Sequence, residues 1–170
     1  MIKSEKKLKE LSAIFGKKNL IHINRAILSL RDEEPFEGAI GLLIAFYDST
    51  NDIRVRKTIE KFMNDLKDNS VVPEVATEMK KPWKAATRNM IVSSCWQSGL
   101  DYSDYLTDLV NIFLEGDYST ALECLTVIEG SVHNSLRSKK DDMIRIVENN
   151  PVSIDEKTPL TLELLSILEK

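Results

Sequence analysis

The sequence predicts an all-α fold, and three observations carry that expectation. Helical periodicity, with apolar residues recurring every three or four positions, runs through nearly every segment of the 170-residue chain. Glycine (6) and proline (5) are few, which argues against the many turns of an all-β fold. The helical segments also fall into pairs separated by short polar breaks. The clearest break is Asp48-Ser49-Thr50-Asn51. Units of this kind cannot bury their apolar faces alone and must stack. The expectation is one domain over residues 1–170 with about eight to ten helices. The clearest pairs are 36–67, 71–98 and 101–130, with capping helices at both ends.

In chain order, Leu20, Ile23, Ile27 and Leu30 form one stripe of a helix over 19–31. Phe36, Ala39, Ile40, Leu43, Phe46 and Tyr47 form the next, over 36–47. It follows the acidic turn Asp32-Glu33-Glu34-Pro35, where carboxylates oppose the helix dipole and proline suits a first turn. Leu42, Ile44 and Ala45 extend its apolar face, so this helix is expected between neighbours. Its partner spans 52–67. Val55, Ile59, Phe62, Met63 and Leu66 face inward there, and Arg54, Lys57, Glu60, Lys61 and Asn64 face out. Asp52 is placed to cap it.

A short helix over 71–80 carries Pro73 near its start, and Pro82 is expected to open the next, over 82–98. Trp83, Ala86, Met90, Ile91, Val92, Cys95 and Trp96 make that helix apolar on several sides. The small residues Ala85, Ala86, Ser93 and Ser94 would allow close approach, so it is expected to be the most buried, with both tryptophans in the core. An exposed tryptophan would instead be a binding hot spot. Over 101–115, Tyr102, Tyr105, Leu106, Leu109, Val110, Ile112 and Phe113 face inward. Gly116 and Asp117 then supply caps, and the helix over 117–130 buries Ala121, Leu122, Leu125 and Ile128. A helix over 134–149 uses Leu136, Met143, Ile146 and Val147. After a linker following Asn150-Pro151, Thr158-Pro159 starts a leucine-rich final helix.

The pair over 36–67 resembles HEAT-like repeats of the armadillo-type class, because Asp52, Val55 and Arg56 stand in that family's Asp-x-x-Val-Arg arrangement. The resemblance covers 36–130. In the second pair Pro82-Trp83-Lys84-Ala85-Ala86 replaces the motif, and in the third only Asp117 remains. It implies a right-handed α–α superhelix in which the Asp and Arg tie successive repeats together. The repeats average about 32 residues, shorter than the roughly 40–47 of HEAT and armadillo units. The second helices of such pairs, here 52–67, 82–98 and 117–130, would line the partner-binding side. Arg54, Lys57, Lys61, Asn64, Lys84 and Arg88 would then form a mildly basic ridge suited to an acidic protein or peptide.

Composition narrows the alternatives. Net charge is −4, against the clustered cations that displace counterions from nucleic acid. A nucleic-acid-binding reading, like helical-repeat DNA-repair proteins, would use the same cations with Trp83. The N-terminal lysines (Lys3, Lys6, Lys7, Lys9, Lys17, Lys18) read as a solvated face, or else as a weak anchor for an acidic partner. Cys95 and Cys124 lie among apolar neighbours, as buried free thiols do. No secretory leader or membrane-spanning run is seen, so a cytoplasmic protein is expected.

No catalytic constellation is present, and no enzymatic activity or cofactor is expected. Glycine-rich phosphate loops, paired Cys-x-x-Cys and His-Glu-x-x-His are absent. His22 and His133 lack ligand neighbours at helical spacing. Ser93, Ser94 and Cys95 have no nearby base in sequence. The acids Asp101, Asp104, Asp108, Glu115 and Asp117 lie along a helix rather than at calcium-loop positions.

Overall fold

Ten α-helices and four single-turn 3₁₀ segments make up the computed structural model, which describes residues 1–17, 19–150 and 156–170. The chain is all-helical. Among the described residues there is no strand, only an isolated bridge between Ile2 and Phe36. The expected linker after Asn150 falls largely outside the described residues, as does Lys18. Contacts divide the chain into two compact units, Met1–Leu100 and Asp101–Lys170.

The first unit holds α1 (Glu5–Gly16), α2 (Leu20–Ser29), α3 (Ala39–Ser49), α4 (Ile53–Asn64), α5 (Val72–Met79) and α6 (Ala85–Ser98). Each odd helix packs on the even helix that follows it. The odd helices touch in the order α1, α3, α5 and the even ones in the order α2, α4, α6. Three helix pairs thus form two layers. Within the even layer α4 and α6 run parallel. Lys84, just before α6, meets Asp48 at the end of α3, and Gln97 near the end of α6 meets Asn64 at the end of α4.

The sequence accounts for α4 closely. Val55, Ile59, Phe62 and Met63 are buried, and Arg54, Lys57 and Lys61 are exposed. Asp52 accepts hydrogen bonds from the Arg54 and Val55 amides, both at 3.0 Å, and so satisfies two of the free N–H groups of the first turn.

Helix α3 departs from expectation at its start. It begins at Ala39, not Phe36, because Phe36 is drawn into the bridge with Ile2: the Ile2 amide donates to the Pro35 carbonyl at 3.0 Å. Pro35 and the acidic turn therefore do not open this helix. Gly38 occupies the N-cap with φ +89°, a left-handed conformation that glycine tolerates and other residues resist. It has no side chain to cap with, and the cap comes from α5: Glu74 accepts from the Gly38 and Gly41 amides. Gly41 is where α5 approaches closest, since a Cβ there would stand 2.7 Å from Glu78 Oε1. Ala45, expected on the apolar face, is exposed.

Helix α6 starts at Ala85, so Pro82 does not open it and Trp83 lies outside it. The indole N–H of Trp83 donates to the Glu78 carbonyl at 2.9 Å, which lays the half-buried ring against the end of α5. Trp96 is 47% exposed, correcting the expectation of a core residue. Ala85 and Ala86 are exposed as well. The reason is geometric. Packing against α3, α4 and α5 buries Met90, Ile91, Val92, Ser94, Cys95 and Ser98 and leaves an open stripe that includes Trp96 and Gln97. A helix apolar on several sides does not announce which side its neighbours leave uncovered.

The second unit holds α7 (Leu106–Glu115), α8 (Tyr118–Ser131), α9 (Arg137–Glu148) and α10 (Thr158–Glu169). Here α7 pairs with α8 and α9 with α10, while α7 touches α9 and α8 touches α10. Tyr102, Leu106, Leu109, Val110, Ile112 and Phe113 are buried as expected, although the α-helix proper starts only at Leu106. Asp117 caps α8 by accepting from the Thr120 amide at 2.8 Å. The Lys157 ammonium donates to the Leu114 and Gly116 carbonyls, both at 2.9 Å, and so closes the end of α7. Leu122 is exposed rather than buried; Cys124 and Val127 take the inward positions. Leu136 is the N-cap of α9 and stands exposed, not on its apolar side. Cys95 and Cys124 are both buried, as expected.

Candidate interaction surface

The outer face of α4 carries the strongest concentration of unneutralised charge among the sequence-predicted site residues. Lys57 and Lys61 are exposed and one turn apart, and among the described residues neither is in an ion pair. Arg54 precedes them on the same face, its guanidinium 4.0 Å from Asp52, a long and exposed contact that leaves it available. Ile53, also exposed, adds an apolar edge. Asn64 closes the row. Its amide donates to Gln97 Oε1 at 2.8 Å, and the Gln97 amide donates in turn to Ser93 Oγ at 2.7 Å. This polar chain carries the surface from α4 onto the open stripe of α6, where Trp96 stands.

Lys84 and Arg88 do not join that row. Lys84 Nζ donates to the Asp48 carbonyl and lies 3.6 Å from the Asp48 carboxylate, which also accepts from the Lys84 amide at 3.2 Å and the Thr87 hydroxyl at 2.7 Å. Partial burial pushes the Asp48 carboxyl up. The Thr87 hydroxyl, the Lys84 amide and the Lys84 ammonium together outweigh it and hold the group below its usual range. Arg88 is half-buried and reaches back to the Lys81 carbonyl at 3.4 Å. The six residues proposed from sequence thus divide into four that share the α4 face and two that tie α6 to its neighbours.

Arg56, the motif residue, is also structural. Its guanidinium lies 4.4 Å from the Tyr47 ring centroid, within the α3–α4 pair rather than between successive pairs. The Tyr47 hydroxyl donates to Glu60 at 2.7 Å. Burial, reinforced by the bond to the Glu60 carboxylate and its charge, raises the Tyr47 hydroxyl to a pKa of about 12.

Elsewhere the charged residues identified in sequence are mostly local. Lys7 pairs with Glu33 at 2.7 Å and Lys9 with Glu5 at 3.6 Å. Asp101 accepts from the Ser103 amide at 2.9 Å, and Asp104 lies 3.8 Å from Lys139. His22 and His133 are exposed. Among the described residues no three His, Cys, Asp or Glu side chains converge to hold a metal ion, and no helix is long and apolar enough to cross a membrane.

Ser93 and Gln97 were not singled out for this surface by sequence reasoning. A polar residue every fourth position on α6 was the available signal. No protein-family profile, curated protein or solved structure matches this chain.

Proposed function

We propose that this chain is a non-enzymatic helical-repeat scaffold, a right-handed HEAT- or armadillo-like solenoid, that binds an acidic protein or peptide along α4 and the adjoining stripe of α6. The observation that carries this reading is the juxtaposition of the exposed Lys57 and Lys61 with a half-exposed Trp96 on the parallel neighbouring helix. Cations steer an acidic partner and a tryptophan supplies the apolar anchor typical of interface hot spots. The two-layer order of helix pairs supports the solenoid reading, because stacked pairs present their second helices side by side. A cytoplasmic location, the expectation from the sequence, is proposed with it.

Affinity capture from the native organism tests the proposal with three proteins: the parent, Lys57→Glu with Lys61→Glu, and Trp96→Ala. Partners retained by the parent should be lost by both variants while circular dichroism shows them folded. Full capture by the folded charge-reversal variant would move the binding surface elsewhere. Salt-dependent retardation of duplex DNA by the parent, abolished in the same variant, would replace the protein partner with nucleic acid.

A further inference from the structure

A groove of about 440 Å³ runs between α1 and α2 of the first unit, lined by Ile14, Lys17, His22, Arg25, Ala26 and Ser29. Its floor is apolar, formed by Ile14 and Ala26, both half-buried where the two helices pack. Its walls are cationic. Lys17 stands at the C-cap of α1 and Arg25 lies two turns into α2, both exposed, and their aliphatic stems extend the floor below the charged ends. His22 is exposed beside them. The Ser29 hydroxyl donates to the Ala26 carbonyl at 2.8 Å and brings no charge.

Nothing in the surrounding helices cancels this charge. Among the described residues no carboxylate lines the groove, and neither Lys17 nor Arg25 is in an ion pair. Of the neighbouring acids, Glu5 pairs with Lys9 and Glu33 with Lys7. Glu10 and Asp32 lie outside the lining, one turn before Ile14 on α1 and one turn past Ser29, away from the connection between the helices. The groove is therefore polarised, with its cations toward that connection. An apolar body gains by leaving water on the floor, and an oxyanion meets an ammonium and the planar fork of a guanidinium. Each exposed charge contributes modestly, so binding needs floor and cations together. The volume falls in the range of ligand pockets.

We propose that this groove binds a small organic anion, a carboxylate or phosphate ester on an apolar body, with the oxyanion between Lys17 and Arg25 and the body on Ile14 and Ala26. This site is independent of the α4–α6 surface, and either proposal can fail without the other.

The test titrates the full ¹⁵N-labelled chain with 3-phenylpropionate and phenyl phosphate, and with 3-phenylpropanol and 3-phenylpropylamine for comparison. At least one anion should shift the Ile14, His22 and Ala26 amides saturably and bind about tenfold more tightly than the alcohol, with no binding of the amine. The tighter of the two anions identifies the head group. The double variant Lys17→Gln with Arg25→Gln removes both charges at exposed positions and should lower the affinity for the anion to that for the alcohol. Lys57→Gln with Lys61→Gln, which removes two equally exposed cations from α4, should leave it unchanged. Raising salt to about 0.5 M should erase the preference in the parent, a readout that needs no variant. The proposal is overturned if the anions shift other amides or none, or if the alcohol or the amine binds as tightly. It is equally overturned if the preference survives salt or the Lys17–Arg25 variant, or falls as far in the α4 variant.

Discussion

Glu74 Oε1 accepts the amide proton of Gly41 at 2.8 Å, reaching from the second residue after the start of α5 to the first turn of α3. Its other oxygen accepts from Gly38 at 3.1 Å. A single carboxylate thereby satisfies two N–H groups that the helix itself leaves open, and it places negative charge at the positive end of the α3 dipole. It also ties one helix pair to the next, the task that the Asp-x-x-Val-Arg resemblance assigned to Asp52 and Arg56. Here Asp52 caps its own helix and Arg56 works inside its own pair.

Removing that cap is expected to cost stability without changing the fold. Hydrogen bonds to a charged group are worth about 1.5–3 kcal/mol, and partial exposure puts Glu74→Ala toward the lower end. Glu74→Gln keeps an acceptor and should lose less. Urea unfolding of both variants checks the order Ala worse than Gln worse than parent. Equal stability of Glu74→Ala and parent would mean the carboxylate does not act as the cap.

Why the sequence conveyed some of this and not the rest is a matter of distance along the chain. Helix α4 was legible because everything that defines it is local: a capping Asp52, apolar residues three and four apart, and a polar opposite face. The start of α3 was not, because Phe36 is committed to Ile2 and the cap arrives from Glu74, both remote in sequence. The candidate ridge divided for the same reason. Lys57 and Lys61 stay on the exposed face of α4, whereas Lys84 meets Asp48 only once the start of α6 reaches the end of α3. Trp96 was misplaced because hydrophobicity identifies what favours burial, while the neighbours decide what is covered.

The two large side chains of α6 should therefore respond oppositely to truncation. Met90 is only 7% exposed, and Met90→Ala is expected to cost about 2–5 kcal/mol, as methionine deletions in cores do. Trp96→Ala should cost well under that in urea unfolding, since half of the ring already meets water, and should weaken partner capture instead. A Trp96→Ala loss as large as that of Met90→Ala would restore the ring to the core.

Tyr47 gives the fold a signature at high pH. Its hydroxyl is raised from 10 in the unfolded chain to about 12 in the folded one, so the folded state holds this proton more tightly. The associated stability is fully present below pH 10 and is lost as pH rises through about 12. Absorbance at 295 nm should show a tyrosinate forming near pH 12 that is missing from Tyr47→Phe. The stability of that variant should also fall less between pH 10 and 12. A titration in which Tyr47→Phe removes an amplitude near pH 10 would mean the bond to Glu60 does not protect the hydroxyl.

Two glycines of the second unit should answer the same substitution with opposite signs. Gly116 has φ −74° and ψ 166°, a conformation open to any residue, so backbone freedom does not explain it. Space does: a Cβ there would stand 2.9 Å from the Ile112 carbonyl oxygen, 2.9 Å from Thr120 Cβ and 3.0 Å from its Cγ2. Thr120 is buried and the carbonyl belongs to helix α7, so neither yields without shifting the chain between α7 and α8. Overpacking of this kind costs about 1–3 kcal/mol, more than the roughly 0.4–1 kcal/mol that alanine gains by restricting the unfolded chain. Gly130 lies within α8, exposed, and a Cβ there meets nothing within 4 Å. Only helix propensity acts at that position, and Gly130→Ala should stabilise by about 0.5–1 kcal/mol. Urea midpoints moving down for Gly116→Ala and up for Gly130→Ala are the expected result. A shift in the same direction for both would show that the Ile112–Thr120 approach does not constrain residue 116.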